Sequence, residues 1–375
     1  MQKIILKSFF TLLLIGVFIP RLTIGGTWIG VDDIIALISI PLLGGLFFYN
    51  VSRNKLISIA IMPLCVFVLF FLFYGMLQSY SYLGTVRLPS ELWQYIKRIV
   101  CFLIALNLFH HMADRERVRA INFFLLVILT CLMIGLLQFL GVEFLTTLYG
   151  RTDAQINSGL YTNHQQRVYS VAGFSTAWGG LATFMFFATI GLASLKKIYG
   201  GISRFYVLII FLIYILAIFN VFSSGSRGAW ISFGFCLCLL YFLMFVPLGL
   251  KNFKIIPLAI FLLLLLFFIV NTYFYERLEF MLFRFEVFGE TAGGGRGEQV
   301  SAGIDLLNTW YEWLAGVSNV TQRTFGQSFG IESEPFNILV NYGVIGFTLV
   351  YLTIFNLIFI LRKLYNLDDC CLYTK

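Results

Sequence analysis

Three arginines with small or polar neighbours are the residues of this chain best suited to chemistry. Arg167 stands directly before VYSVAGFSTAWGG (168–180), where Gly173, Ser175, Thr176, Ala177, Gly179 and Gly180 make a narrow helix start. Small residues there let backbones approach closely, or leave a lined cavity at membrane depth. Arg227 lies in FSSGSRGAW (222–230), a very short connection between two apolar stretches. It falls at the N-terminal end of the second stretch, where the helix macrodipole disfavours a cation. Such a cation calls for an anionic partner, and Ser223, Ser224, Gly225 and Ser226 offer amides and hydroxyls around one. The competing reading is an interfacial arginine snorkelling to headgroups. Arg296 is the centre of GGGRGEQ (293–299), which is not a phosphate loop because no Gly-Lys-Ser/Thr follows and no strand precedes it.

Glu332 and Glu334 immediately precede the last apolar segment, in GIESEPFNILVNYGVIGF (330–347). Two carboxylates there are also favourable charges for a helix N-terminus in their own right. His164 lies three residues before Arg167; a lone loop histidine is more often solvated than catalytic. The seven cysteines give neither a disulfide framework nor a metal pair, since Cys236 and Cys238 point in different directions on a helix. No zinc motif and no Ser-His-Asp arrangement is present.

The elements that must position these residues are membrane helices. Hydrophobic residues make up 59% of the 375 and charged residues 12%. A soluble domain carries about 25% charged residues, so this chain cannot coat a water-facing surface. Spans of roughly 20 apolar residues, enough to cross the hydrocarbon, fall near 4–20, 31–49, 56–77, 94–112, 118–139, 170–192, 203–222, 228–248, 255–275 and 336–361. The expected fold is all-α: a single polytopic membrane domain over 1–375 with about ten transmembrane helices. Besides the longer stretch 78–93, two long outer loops, 140–169 and 276–335, interrupt it. In the second, Val300, Ile304, Leu307, Tyr311 and Leu314 recur at helical spacing beside Trp310 and Trp313, predicting an amphipathic cap helix at the interface. Lys3 and Lys7 before an apolar run imitate a signal peptide, but no small-residue cleavage site follows, so this segment reads as an uncleaved first helix.

Basic residues orient the spans. With the N-terminus cytoplasmic, fifteen bases and four acids fall inside, against eleven bases and fourteen acids outside. Both termini are then cytoplasmic. Nine of the ten lysines lie inside, Lys97 being the exception, so the outer side is basic almost entirely through arginine. Guanidinium forks grip phosphate and carboxylate oxygens bidentately where lysine acts as a point charge. An arginine-biased, net-acidic outer face therefore suggests specific anion sites. Nucleic acid is excluded as a partner, because the positive excess is inside and topology explains it.

In order along the chain, Arg167 with its small-residue helix start, SRGA at 226–229, Arg296 opening a helix of the large loop, and ESEPFNILVNYGVIGF at 332–347 resemble the O-antigen polymerase/ligase superfamily of bacterial envelope glycan assembly. The resemblance covers roughly 150–360. It implies a glycosyltransferase in the bacterial cytoplasmic membrane, working on its outer face with undecaprenyl-diphosphate-linked glycans and using neither metal nor cofactor. It further implies that Arg167, Arg227 and Arg296 clamp the diphosphate or the donor glycan, to which the residues themselves add Ser226 and His164 as substrate-binding candidates. Glu334 or Glu332 would be the general base on an acceptor hydroxyl, with inversion at the anomeric carbon. A flippase and a chain-length regulator would be functional partners. Ligases of the superfamily typically carry His-Asn eleven and ten residues before the glycine of the final motif; here Glu332 and Ser333 precede Gly343 at those offsets. This departure points to a Wzy-type polymerase, with a ligase as the alternative. A lipid-linked oligosaccharide flippase is the non-enzyme alternative, disfavoured because the charges sit at helix ends and not near mid-membrane.

Overall fold

The computed structural model describes residues 2–20, 22–24, 27–40, 55–84, 92–149, 168–172, 175–201, 203–244, 296–317 and 334–372. Its helices are α1 (Gln2–Gly16), α2 (31–40), α3 (Lys55–Leu83), α4 (Leu92–His111), α5 (Asp114–Phe139), α6 (Glu143–Tyr149), α7 (Ser175–Gly200), α8 (Arg204–Ser223), α9 (Arg227–Met244), α10 (Arg296–Ile304), α11 (Trp310–Ala315) and α12 (Glu334–Leu372). One small hairpin departs from the all-α expectation. Strand β1 (Leu22–Ile24) pairs antiparallel with β2 (Thr27–Ile29), Thr23 opposite Trp28. Gly25-Gly26 between them in sequence is the signal that was available for it.

Among the described residues, five helical stretches are long and apolar enough to cross a membrane: Met62–Ser81, Asp114–Phe139, Ala177–Gly200, Arg204–Ser223 and Pro335–Asn356. They coincide with five of the ten expected spans. Lys7–Gly16 and Gly228–Cys238 are shorter apolar helices within two more, and 255–275 lies outside the described residues. Large apolar side chains such as Phe73, Leu77, Phe205, Leu208, Phe235 and Phe355 are exposed on these helices. Water does not tolerate such a surface, whereas lipid solvates it. The protein is a helical membrane protein.

The chain divides into two compact units, Met1–Val31 with Leu108–Val287, and Asp32–Asn107 with Phe288–Lys375. In the first, α5, α7 and α8 pack on one another, and α9 lies against α7. Their core holds Ile121, Ile128, Leu132, Trp178, Ile213, Ala217 and Phe233. Asn220, in a helix whose apolar residues are spread over every face, is completely buried there. Its Oδ1 accepts from Trp178 Nε1 at 3.0 Å, and its Nδ2 donates to the Leu132 and Leu216 carbonyls at 3.0 and 2.7 Å. A buried amide is tolerated only when paired in this way. Gly135 makes room for it, since a Cβ at that position would run into Asn220 Oδ1.

Basic side chains gather at one end of this unit. Lys7 Nζ meets Glu116 Oε1 at 2.6 Å, Arg117 stacks over the Tyr199 ring, and Lys196 Nζ donates to Asn122 Oδ1 at 2.7 Å. Starts of α5 and α8 therefore share this end with the close of α7. The other end carries the close of α5 and α8 and the start of α7 and α9.

In the second unit, α12 packs along α3. An aromatic cluster of Phe67, Phe71, Tyr95 and Tyr342 has ring centroids 4.9–6.4 Å apart. Lys97, the one lysine expected on the outer side, is 6% exposed. It pairs with Asp32 at 2.6 Å and Asp33 at 2.9 Å, and Trp93 Nε1 donates to Asp33 Oδ1 at 2.9 Å. A buried cation is kept where carboxylates neutralise it.

The expected single cap helix is two helices. Residues 305–309 break the helix while the apolar spacing runs on, and the buried Glu312 carboxylate explains why the break is stable: its Oε2 accepts from the Asn308 and Thr309 amides at 2.9 and 2.8 Å, capping α11. Leu307 packs with Val317 and Val340 on α12, whereas Trp310 and Trp313 stay exposed.

Candidate functional site

The connection carrying SRGA is a tight turn. Ser223 ends α8, Ser224 and Gly225 turn, and Arg227 opens α9. Gly225 has φ +58°, a left-handed conformation that glycine adopts without strain. The serines build this turn. Ser224 Oγ donates to the Val221 carbonyl at 2.7 Å and receives the Ser226 amide at 3.2 Å. Ser226, 5% exposed, accepts the Ala229 amide at 3.4 Å as the cap of α9. Trp230 Nε1 ties back to the Val221 carbonyl at 3.0 Å. The hydroxyl cradle expected from the sequence is thus largely engaged in the turn. What remains for an anion is the helix end, where the Arg227 and Gly228 amides lack an intrahelical acceptor.

The small-residue start of α7 packs against this turn. A Cβ on Gly179 would meet Ser224 Oγ at 2.5 Å and the Ala229 Cβ at 2.6 Å. Close approach therefore explains that glycine. The residue after Arg167 is fixed to the same turn, because the Val168 amide donates to the Ser223 carbonyl at 3.2 Å. Two stretches separate in sequence, the one following Arg167 and the SRGA turn, are thereby brought together at one end of the first unit.

Sequence reasoning missed what holds that contact. Gln138, buried at the close of α5, accepts the Ser170 amide on Oε1 at 2.6 Å and reaches the Leu145 carbonyl through Nε2 at 3.2 Å. Ser170 Oγ donates to the Cys131 carbonyl at 2.7 Å, and Ser170 has φ +43°, the one non-glycine residue with positive φ among those described. Strain of this kind persists only where surroundings over-determine it. Tyr169 Oη donates to the Thr146 carbonyl at 2.7 Å, and burial raises its phenol above the usual value of 10. The available signal was a single glutamine closing an apolar helix.

The second unit positions the NYGVIG ending. Gly316 (φ 77°, ψ 176°) and Gly343 (φ 62°, ψ −168°) both occupy a region open essentially to glycine alone. They meet: a Cβ on Gly316 would strike the Asn341 carbonyl group and Tyr342 N, and one on Gly343 would strike the Leu314 carbonyl group and Ala315 N. The Val317 amide donates to the Val340 carbonyl at 2.9 Å, while Tyr74 Oη and Gln78 Nε2 both donate to the Gly316 carbonyl at 3.1 Å. Gly343 breaks α12 at this crossing. Glu334 opens α12 and Arg296 opens α10 as expected. His164, Arg167 and Glu332 lie outside the described residues. Among the described residues no three His, Cys, Asp or Glu side chains group as metal ligands.

A helical membrane protein with a pinned, arginine-bearing helix start at one end of a packed unit is the class that fold and site define. Residues 212–351 match the family model described as O-antigen ligase (Wzy_C). That segment contains the SRGA turn, Arg296, both glutamates and the glycine crossing, and the match agrees with the resemblance to the O-antigen polymerase/ligase superfamily. It supports an O-antigen polymerase/ligase-type glycosyltransferase function. Neither the curated proteins nor the solved structures contain a match.

Proposed function

We propose that this protein polymerises lipid-linked oligosaccharide repeat units of a surface polysaccharide on the outer face of the bacterial cytoplasmic membrane. The observation that carries the reading is the SRGA turn inside the matched segment, with Arg227 at the first position of α9. An anion at that position neutralises the guanidinium and also receives amides from the helix start. The diphosphate of an undecaprenyl-diphosphate donor has this chemistry. As the glycosidic C–O bond breaks, Arg227, Arg167 and Arg296 stabilise the charge growing on the leaving diphosphate, with Ser226 and His164 beside the donor. Glu334 or Glu332 takes the proton from the acceptor hydroxyl, whose oxygen attacks the anomeric carbon with inversion. No metal is needed, because the guanidinium groups supply the positive charge. The termini face the cytoplasm, and a flippase and a chain-length regulator work beside the polymerase.

Glu332-Ser333, in place of the His-Asn of ligases, supports polymerisation over ligation. The description of the matching family favours a second reading, transfer of finished glycan to another acceptor. Deleting the gene separates them. Accumulation of single lipid-linked repeat units supports the polymerase; accumulation of long, unattached lipid-linked polymer supports the ligase and overturns the proposal.

A further inference from the structure

The basic end of the first unit contains an open cavity of about 320 Å³, at the lower end of the roughly 300–1,000 Å³ range of small-molecule sites. It is lined by Lys7, Phe10 and Thr11 of α1, by Leu108 and Met112, and by Glu116, Arg119, Ala120 and Phe123 of α5. The α5 residues recur at i, i+3, i+4 and i+7, so one helix face supplies a charged rim leading into an apolar floor. The charges on that rim are not equivalent. Glu116 gives Oε1 to Lys7 at 2.6 Å and Oε2 to the Ala113 amide at 3.2 Å, so the acid is committed to the fold. Arg117 is likewise committed, to Asp114 and the Phe109 carbonyl. Arg119 is exposed and has no ion pair among the described residues. The cavity thus carries one net positive charge above Phe10, Leu108 and Phe123.

The geometry points to a binding site for an anionic phospholipid. Its phosphate sits on Arg119 and Lys7, and the upper part of an acyl chain lies between Phe10 and Phe123. A cation above an apolar floor at the end of membrane helices complements a molecule that joins a phosphate to hydrocarbon. Free phosphate would leave the floor empty, and a zwitterionic lipid would leave the net charge unmatched. The site is independent of the glycan chemistry at the opposite end of the unit.

The test is lipid binding to the purified full-length protein, by native mass spectrometry with phosphatidylglycerol, phosphatidylcholine and inorganic phosphate as separate probes. Phosphatidylglycerol is expected to bind in preference to phosphatidylcholine, with inorganic phosphate neither binding measurably nor displacing it. Arg119→Ala should weaken phosphatidylglycerol about fivefold, the effect of one basic residue at a membrane surface, and Arg119→Lys should restore it. Glu116→Gln keeps the cap acceptor but frees the Lys7 charge, so it should tighten binding by about the same factor. Opposite effects of two rim substitutions cannot come from unfolding. Equal binding of phosphatidylcholine, displacement by inorganic phosphate, or a shift of Arg119→Ala and Glu116→Gln in the same direction would overturn the proposal.

Discussion

Replacing Gly343 by alanine tests the crossing on which the NYGVIG ending depends. At φ 62°, ψ −168° a side chain is strained whatever the space around it, at about 1–3 kcal/mol. Space is also lacking, because the new Cβ would lie 2.4 Å from the Leu314 carbonyl group, which is backbone and cannot rotate away. Moving α11 off α12 adds roughly 1–3 kcal/mol, as for other overpacked sites. It also loosens the bond from the Val317 amide to the Val340 carbonyl. The sum is about 2–6 kcal/mol, a large fraction of the stability of an ordinary domain. Gly180→Ala is the matched control: Gly180 is helical, and a Cβ there meets nothing within 4 Å. Alanine should leave it unchanged or gain about 0.5–1 kcal/mol. The assay is thermal unfolding of both variants purified in the same detergent. Gly343→Ala melting together with the wild type would refute the reasoning, because neither the strain nor the backbone collision would then exist.

Three groups buried or pinned in the two units lead to further expectations. Asn220→Leu leaves Trp178 Nε1 and the Leu132 carbonyl without their partner and should lower stability by about 1–3 kcal/mol, read as a loss of thermal stability in detergent. Lys97→Met strands two carboxylates; since Asp32 is 36% exposed, the loss should fall below the ~3–5 kcal/mol of a fully buried pair, and adding Asp32→Asn with Asp33→Asn should recover much of it. Tyr169 has a phenol raised by burial, so its stabilising hydrogen bond is fully present below pH 10 and is lost as pH rises through the folded value. Tyr169→Phe should therefore be about 1 kcal/mol less stable than wild type at pH 7–9, with the gap closing above pH 10 in a melting series.

The helical membrane class was legible because composition alone forbids a water-facing surface, and the spans at 118–139 and 203–222 needed only hydropathy to find. The SRGA turn was legible too, since Ser-Gly-Ser between apolar runs leaves the chain few options. What the turn is made of was not. Whether Ser224 and Ser226 are free for a ligand or spent on Val221 and Ala229 depends on backbone angles that sequence does not display. Long-range partners were equally hidden. Gln138 and Ser170 are 32 residues apart and carry no common pattern, yet their bond fixes the stretch that follows Arg167. The Gly316–Gly343 crossing pairs two glycines that look ordinary until their φ values are seen together. The 300–314 stripe misled because helical spacing continued through a break, and only the reach of Glu312 back to Asn308 and Thr309 shows where one helix stops.

The most direct test of the account is glycan extension in vitro with the purified protein and one defined undecaprenyl-diphosphate repeat unit, comparing wild type with Arg227→Ala. The account predicts a ladder of products from the wild type, and single unextended units from Arg227→Ala at unchanged thermal stability. A ladder of normal length from Arg227→Ala, or no extension by the wild type, would contradict it.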